Sequence, residues 1–86
     1  MVETSIVNEV SIAQSRGRIQ YALLDFKNYI KVNGFKREEL ANQIGVSKKY
    51  VDDLLTDRVS GIGAIETYQK LMNITGYKGE NIYIGK

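Results

Sequence analysis

Eighty-six residues make one domain that buries a little over ~60% of its unfolded surface, so modest stability is expected. The chain holds no cysteine and no histidine, which excludes disulfides and thiolate metal sites and removes the commonest metal ligand and general base. The formal net charge of +2 does not by itself point to nucleic acid. No apolar run approaches the ~18 residues of a membrane span and the amino end has no basic-then-apolar leader, so a reducing, cytoplasmic setting is the expectation.

Residues 1–16, MVETSIVNEVSIAQSR, do not resolve into one element. Ile6, Val7 and Val10 share a helical face, Val10 and Ile12 alternate as in a strand, and a disordered arm also fits. The segment is set apart as an N-terminal extension. From Arg18 the pattern is clear: Ile19, Ala22, Leu23, Phe26 and Ile30 follow the spacing of an amphipathic helix. Asn33-Gly34 stops it, with Gly34 suited to the left-handed position after a helix. Lys27 and Lys31 fall near its carboxyl end, where the dipole favours cations.

The next segment, Arg37 to Thr56 (REELANQIGVSKKYVDDLLT), reads as two helices joined by a three-residue turn. Phe35 and Leu40 form a hydrophobic staple around a start at Lys36, and Glu38 and Glu39 occupy the first turn, where negative charge is favoured. Leu40 and Ile44 share one face. Ala41 lacks the bulk that would block a close helix crossing, and Gly45 accepts φ > 0 at the turn. Ser47 caps the second helix, Val46 and Val51 repeat the staple, and Val51, Leu54 and Leu55 form its apolar face. A polar loop, Thr56 to Gly61, leads to a fourth helix whose inner face is expected at Ile62, Ile65, Tyr68, Leu71 and Ile74, closed by Gly76. In the tail, 77–86, Asn81-Ile82-Tyr83-Ile84 is a β-prone run bounded by glycines and reads as a short strand or an irregular end. The absence of proline suits a helical unit. The expected architecture is all-α, a compact bundle of four or five helices over 17–76, with a helix-turn-helix at 37–56.

A helix-turn-helix places its second helix in the major groove of DNA. The exposed positions of that helix are Lys48, Lys49, Tyr50, Asp52 and Asp53, which become the base-reading candidates. Lysine can donate to guanine O6 and N7, and aspartate can accept from cytosine N4. Arg37, Ser47, Thr56, Arg58 and Ser60 are the phosphate candidates, with Arg16 and Arg18 as a further arm or as simple solubilising charge. Six basic residues between Lys27 and Lys49 stand against Glu38 and Glu39, an electrostatic footprint that suits the same reading. Lys48 and Lys49 lie at the positive end of the helix dipole, and Asp52 and Asp53 toward the negative end, so both placements oppose it. Solvated ion pairs at i, i+4 explain those charges without any ligand. The aspartates also allow a basic protein partner instead of DNA. The tyrosines 21, 29, 68, 77 and 83 read as amphipathic packing residues rather than stacking platforms. Gly61-Ile62-Gly63 is too short for a phosphate loop and carries no lysine.

The spacing of Ala41, Gly45, Val51 and Leu54, within LANQIGVSKKYV and followed by ETYQKLMNITG, resembles the lambda-repressor-like helix-turn-helix superfamily, the Cro and phage-repressor type. The resemblance runs from about Arg18 to Gly76. It implies a dimeric transcriptional regulator on a short palindromic operator, with Lys48, Lys49, Asp52 and Asp53 toward bases and Arg37, Thr56 and Arg58 toward phosphates. Two departures stand out: GENIYIGK replaces the carboxyl-terminal helix that often builds the dimer, and about sixteen residues precede the match. Pairing through one or both termini is expected instead.

The leading expectation is a small repressor of phage, plasmid or mobile-element type that acts on double-stranded DNA by operator occlusion, as a homodimer, without cofactor, metal or catalysis. An antitoxin that binds a toxin and its own operator is a close relative. A protein-interaction module using Asp52, Asp53 and Asp57 against a basic partner is the alternative class. An enzyme is not expected, since no carboxylates converge with a lysine.

Overall fold

The computed structural model describes the backbone of residues 2–85 and the side chains of residues 17–85. Four α-helices follow in chain order: α1 (Val2–Val32), α2 (Arg37–Ile44), α3 (Lys48–Leu55) and α4 (Ile62–Thr75). The all-α bundle is therefore the fold. Helix α1 begins well before Arg18 and passes through Gly17 without a break. Residues 2–16 contain neither proline nor glycine, so nothing in them stops a helix. The strand and arm alternatives do not describe that backbone; the side chains of the extension, Arg16 included, lie outside the described residues.

One hydrogen-bond device ends all four helices. A backbone N–H reaches back five residues to close the last turn: Phe35 to Ile30 (3.0 Å), Val46 to Ala41 (3.0 Å), Arg58 to Asp53 (3.0 Å) and Tyr77 to Met72 (3.1 Å). That bond requires a left-handed residue just before its donor. After α2 it is Gly45 at φ 76°, as its place in the turn demands, and after α3 it is Asp57 at φ 60°. Aspartate is one of the few side chains that tolerates this region.

The core takes Leu23, Phe26 and Ile30 from α1, Leu40 and Ala41 from α2, and Val51, Leu54 and Leu55 from α3. Helix α4 adds Ala64, Tyr68, Leu71 and Met72, and the tail adds Ile82 and Tyr83. Ala41 is 1% exposed, which fits its place at the crossing of α2 and α3. Of the expected staple residues, Phe35 and Val46 pack at the core margin and Leu40 and Val51 are buried in the core.

The inner face of α4 differs from the expected one. Buried positions are Ala64, Tyr68, Leu71, Met72 and Thr75, whereas Ile62 is 74% exposed and Ile74 39% exposed. Residues spaced by three drift about 60° per step on a helix of 3.6 residues per turn, so positions 62 to 74 wind around it instead of forming one face. The observed set keeps within a single stripe.

The tail is not a strand, and no strand occurs among the described residues. Asn81 instead organises a turn. Its side-chain oxygen accepts from the Tyr83 N–H at 3.0 Å, its amide donates to the Ile65 carbonyl at 3.1 Å, and its own carbonyl accepts from the Ile84 N–H at 3.3 Å. An all-α chain offers the β-prone run no strand to pair with, and its apolar residues pack on the bundle. The Tyr83 ring meets Tyr68 edge-on at 5.2 Å, and its hydroxyl donates to the Leu54 carbonyl at 2.5 Å. Tyr77 stacks on Phe26 at 4.4 Å and donates to Asp25, while Arg18 holds Glu80 at 2.6 Å. Arg18 therefore ties α1 to the tail.

Candidate nucleic-acid interface

Helix α3 is held by its apolar side. Val51, Leu54 and Leu55 are each 0% exposed, which fixes the rotation of the helix about its axis. The Ser47 hydroxyl accepts from the Tyr50 N–H at 3.0 Å and caps the first turn, and Tyr83 reaches the other end through Leu54. A helix constrained at both ends and along one face presents its remaining side chains at defined angles. Those are Lys48, Lys49, Asp52 and Asp53.

The two lysines are the outermost charges: the Lys48 side chain is 59% exposed and that of Lys49 81%. The aspartates are drawn back, at 35% for Asp52 and 17% for Asp53. Each acid is already engaged. Asp52 accepts from Arg37 at 2.9 Å and lies 3.5 Å from the Lys48 ammonium, and Asp53 accepts from Lys49 at 3.0 Å. The hydrogen bond from Arg37 is the main reason the Asp52 carboxyl is held below its ordinary pKa; burial pushes the other way, and the charge of Lys48 adds to the lowering. The face thus carries three cations against two anions, with the anions recessed.

The other expected residues separate into groups. Arg37, expected at a phosphate, points its guanidinium across the helix junction to Asp52 and joins the start of α2 to the middle of α3. A guanidinium has five N–H donors, so this bond leaves others for an outer ligand. Ser47 is exposed and its own O–H is not used by the cap, because there its oxygen is the acceptor. Thr56 is different. Its hydroxyl donates to the Asp52 carbonyl at 2.8 Å and its N–H to the Asp53 carbonyl at 3.3 Å, so both donors serve the end of α3 and none is left for a phosphate. Arg58 and Ser60 are exposed in the following loop. Tyr50, expected to read bases, is half-buried against the core, with its hydroxyl 3.9 Å from where a side chain on Gly63 would begin. Its ring therefore lies at the core margin, on the side of α3 toward the start of α4.

Two features had no sequence signal. The Arg37–Asp52 link joins residues 15 apart on different helices, and the Tyr83–Leu54 link spans 29 residues. Neither follows from local periodicity. Among the described residues no group of three or more carboxylates could hold a metal ion, and no helix is long and apolar enough to cross a membrane. No protein-family model, curated protein or solved structure matches the chain.

Proposed function

We propose that this chain is a sequence-specific double-stranded DNA-binding regulator that lays α3 in the major groove and acts by occupying an operator. The observation that carries this reading is the outward face of α3. A short helix pinned by its buried side presents Lys48 and Lys49 foremost, with the capping Ser47 beside them and Arg58 in the next loop. The two lysines suit phosphate or guanine contacts, and the recessed Asp52, buffered by Arg37 and Lys48, suits an exposed cytosine amino group. The resemblance of the 37–56 segment to the lambda-repressor-like superfamily points the same way. A basic protein partner taken up by the aspartates is the weaker reading, since Asp52 and Asp53 already hold Arg37, Lys48 and Lys49.

A salt titration of binding to random duplex DNA tests the proposal. Affinity should fall steeply with salt, and Lys49→Ala should reduce the slope of log K against log salt by about 0.9 if Lys49 neutralises one phosphate. Asp52→Ala frees Arg37 and Lys48, so non-specific affinity should rise while selection among sequences narrows less. An absence of binding at low salt, or a slope untouched by Lys49→Ala and Arg58→Ala together, defeats the reading. Selection from a random pool then gives the site; a palindromic consensus is the result expected of a dimeric regulator.

A further inference from the structure

Helix α4 carries a second ordered surface, on the side away from the core. Ile62, Glu66, Lys70 and Ile74 follow one another at intervals of four and are all exposed. Side chains at that interval form one ridge on a helix. Shallow grooves of about 390 and 450 Å³ flank it: one lined by Gln43, Ile44 and Ile74, the other by Ile65, Gln69 and Ile84. Ile84 is 64% exposed at the rim of the second groove. Three exposed isoleucines (62, 74 and 84), with half-buried Ile44 and Ile65 in the grooves beside them, exceed what an isolated surface residue explains, and none of them belongs to the reading face of α3.

The order of residues along the ridge identifies what covers it. Read forward it is apolar, acidic, basic, apolar. Its antiparallel copy reads apolar, basic, acidic, apolar. Laid together about a twofold axis through position 68, Ile62 meets Ile74 of the second copy, Glu66 meets Lys70, and each pairing occurs twice. Glu66 and Lys70 stand in the favourable order for an intrahelical i, i+4 pair, yet they form no ion pair with each other or with any other described residue. Both charges are therefore available across the axis. Ridges of this type pack at a crossing angle of about 50°, and the flanking grooves receive the neighbouring side chains. Self-complementarity of this kind is the requirement for an isologous contact.

We infer that the outer face of α4, with Ile84 at its edge, is a homodimer interface in which two copies pack antiparallel through the Ile62–Glu66–Lys70–Ile74 ridge. The inference does not depend on DNA binding and is tested without DNA. One helix pair with a corner residue makes a small interface, so the dimer should be weak and concentration-dependent.

Sedimentation equilibrium of the full chain should show reversible monomer–dimer exchange. Glu66→Lys and Lys70→Glu each set like charges opposite one another twice, and each should weaken association about tenfold or more. The double variant Glu66→Lys/Lys70→Glu restores both pairs and should recover most of the wild-type association. Because the chain has no cysteine, cross-linking gives a second reading. Ile62→Cys/Ile74→Cys should form a covalent dimer on oxidation, whereas either cysteine alone should not, since each lies far from its own copy across the axis. A chain that stays monomeric at every accessible concentration overturns the inference. So does a double charge reversal no better than the single ones, or efficient cross-linking through Ile62→Cys alone.

Discussion

Replacing Tyr83 with phenylalanine removes one oxygen from a ring that is 1% exposed, and the structure says what that oxygen does. It donates to the Leu54 carbonyl near the end of α3. Arg58, which would be the helical donor to that carbonyl, bonds Asp53 instead, so Tyr83 supplies a bond that the helix itself does not. A hydrogen bond of this kind contributes about 1 kcal/mol net, rising toward about 2 when the abandoned acceptor stays buried. A loss of about 1.5 kcal/mol should lower the thermal midpoint of a domain this size by about 6–12 °C. Circular dichroism during heating or urea titration measures it. The same group sets an alkaline limit. Burial pushes the Tyr83 pKa up from 10.0 to about 12, so the unfolded chain loses that proton first. Its contribution is complete below pH 10 and declines as pH rises toward 12, by about 2–3 kcal/mol in all. Tyr68, raised still further by burial, acts in the same direction. Tyr83→Phe should therefore be less stable at neutral pH and flatter in its alkaline decline. A variant as stable as wild type, with an unchanged alkaline slope, refutes the assignment of this bond.

Other substitutions test other joints. Ser47→Ala removes the side-chain N-cap of α3 and should cost about 1 kcal/mol in a denaturation midpoint, with Ser47→Thr close to neutral. Gly79→Ala would place a methyl group 2.3 Å from the Tyr77 ring, which cannot move without leaving its stack on Phe26. It should destabilise by about 1–3 kcal/mol, and near-ultraviolet dichroism should report the displaced ring. Asp52 is held below its ordinary range chiefly by Arg37, so its contribution to stability is present above about pH 4 and is lost as the carboxyl protonates below that. Asp52→Asn should flatten the acid limb of a stability–pH curve while leaving the alkaline limb unchanged.

The helix-turn-helix was legible because its signals are local. Ala41 at the crossing, Gly45 in the left-handed turn, Ser47 at the cap and the two staples act over a few residues, so the sequence displays them directly. Helix α4 lies where the pattern puts it, and its inner face matches at Ile65, Tyr68 and Leu71 but not at its two ends. Hydrophobicity at intervals of three places Ile62 and Ile74 inward, where they are exposed, and passes over Ala64, Met72 and Thr75, which complete the buried stripe. At the candidate site, Lys48 and Lys49 stand outward as their helix positions require. The withdrawal of Asp53 and the Arg37–Asp52 link depend on how helices and loop come together, which no single-sequence pattern encodes. Thr56 shows the same limit: its hydroxyl is equally suited to a phosphate or to a helix carbonyl, and the end of α3 has taken it.

The tail gives the fold an order in time. Synthesis delivers α3 first, but the bond from Tyr83 to Leu54 and the ring that covers Tyr68 arrive only 29 and 15 residues later in the chain. On the ribosome the bundle stays open on that side until residue 83 has cleared the exit tunnel, so nascent chains and prematurely stopped fragments expose the aromatic interior to proteases and to one another. Closure of the core around α3 thus waits on residues 81–83. A truncation before Asn81 that leaves every outward-facing residue of α3 in place should still lower the folded population, read as a lower thermal midpoint by circular dichroism.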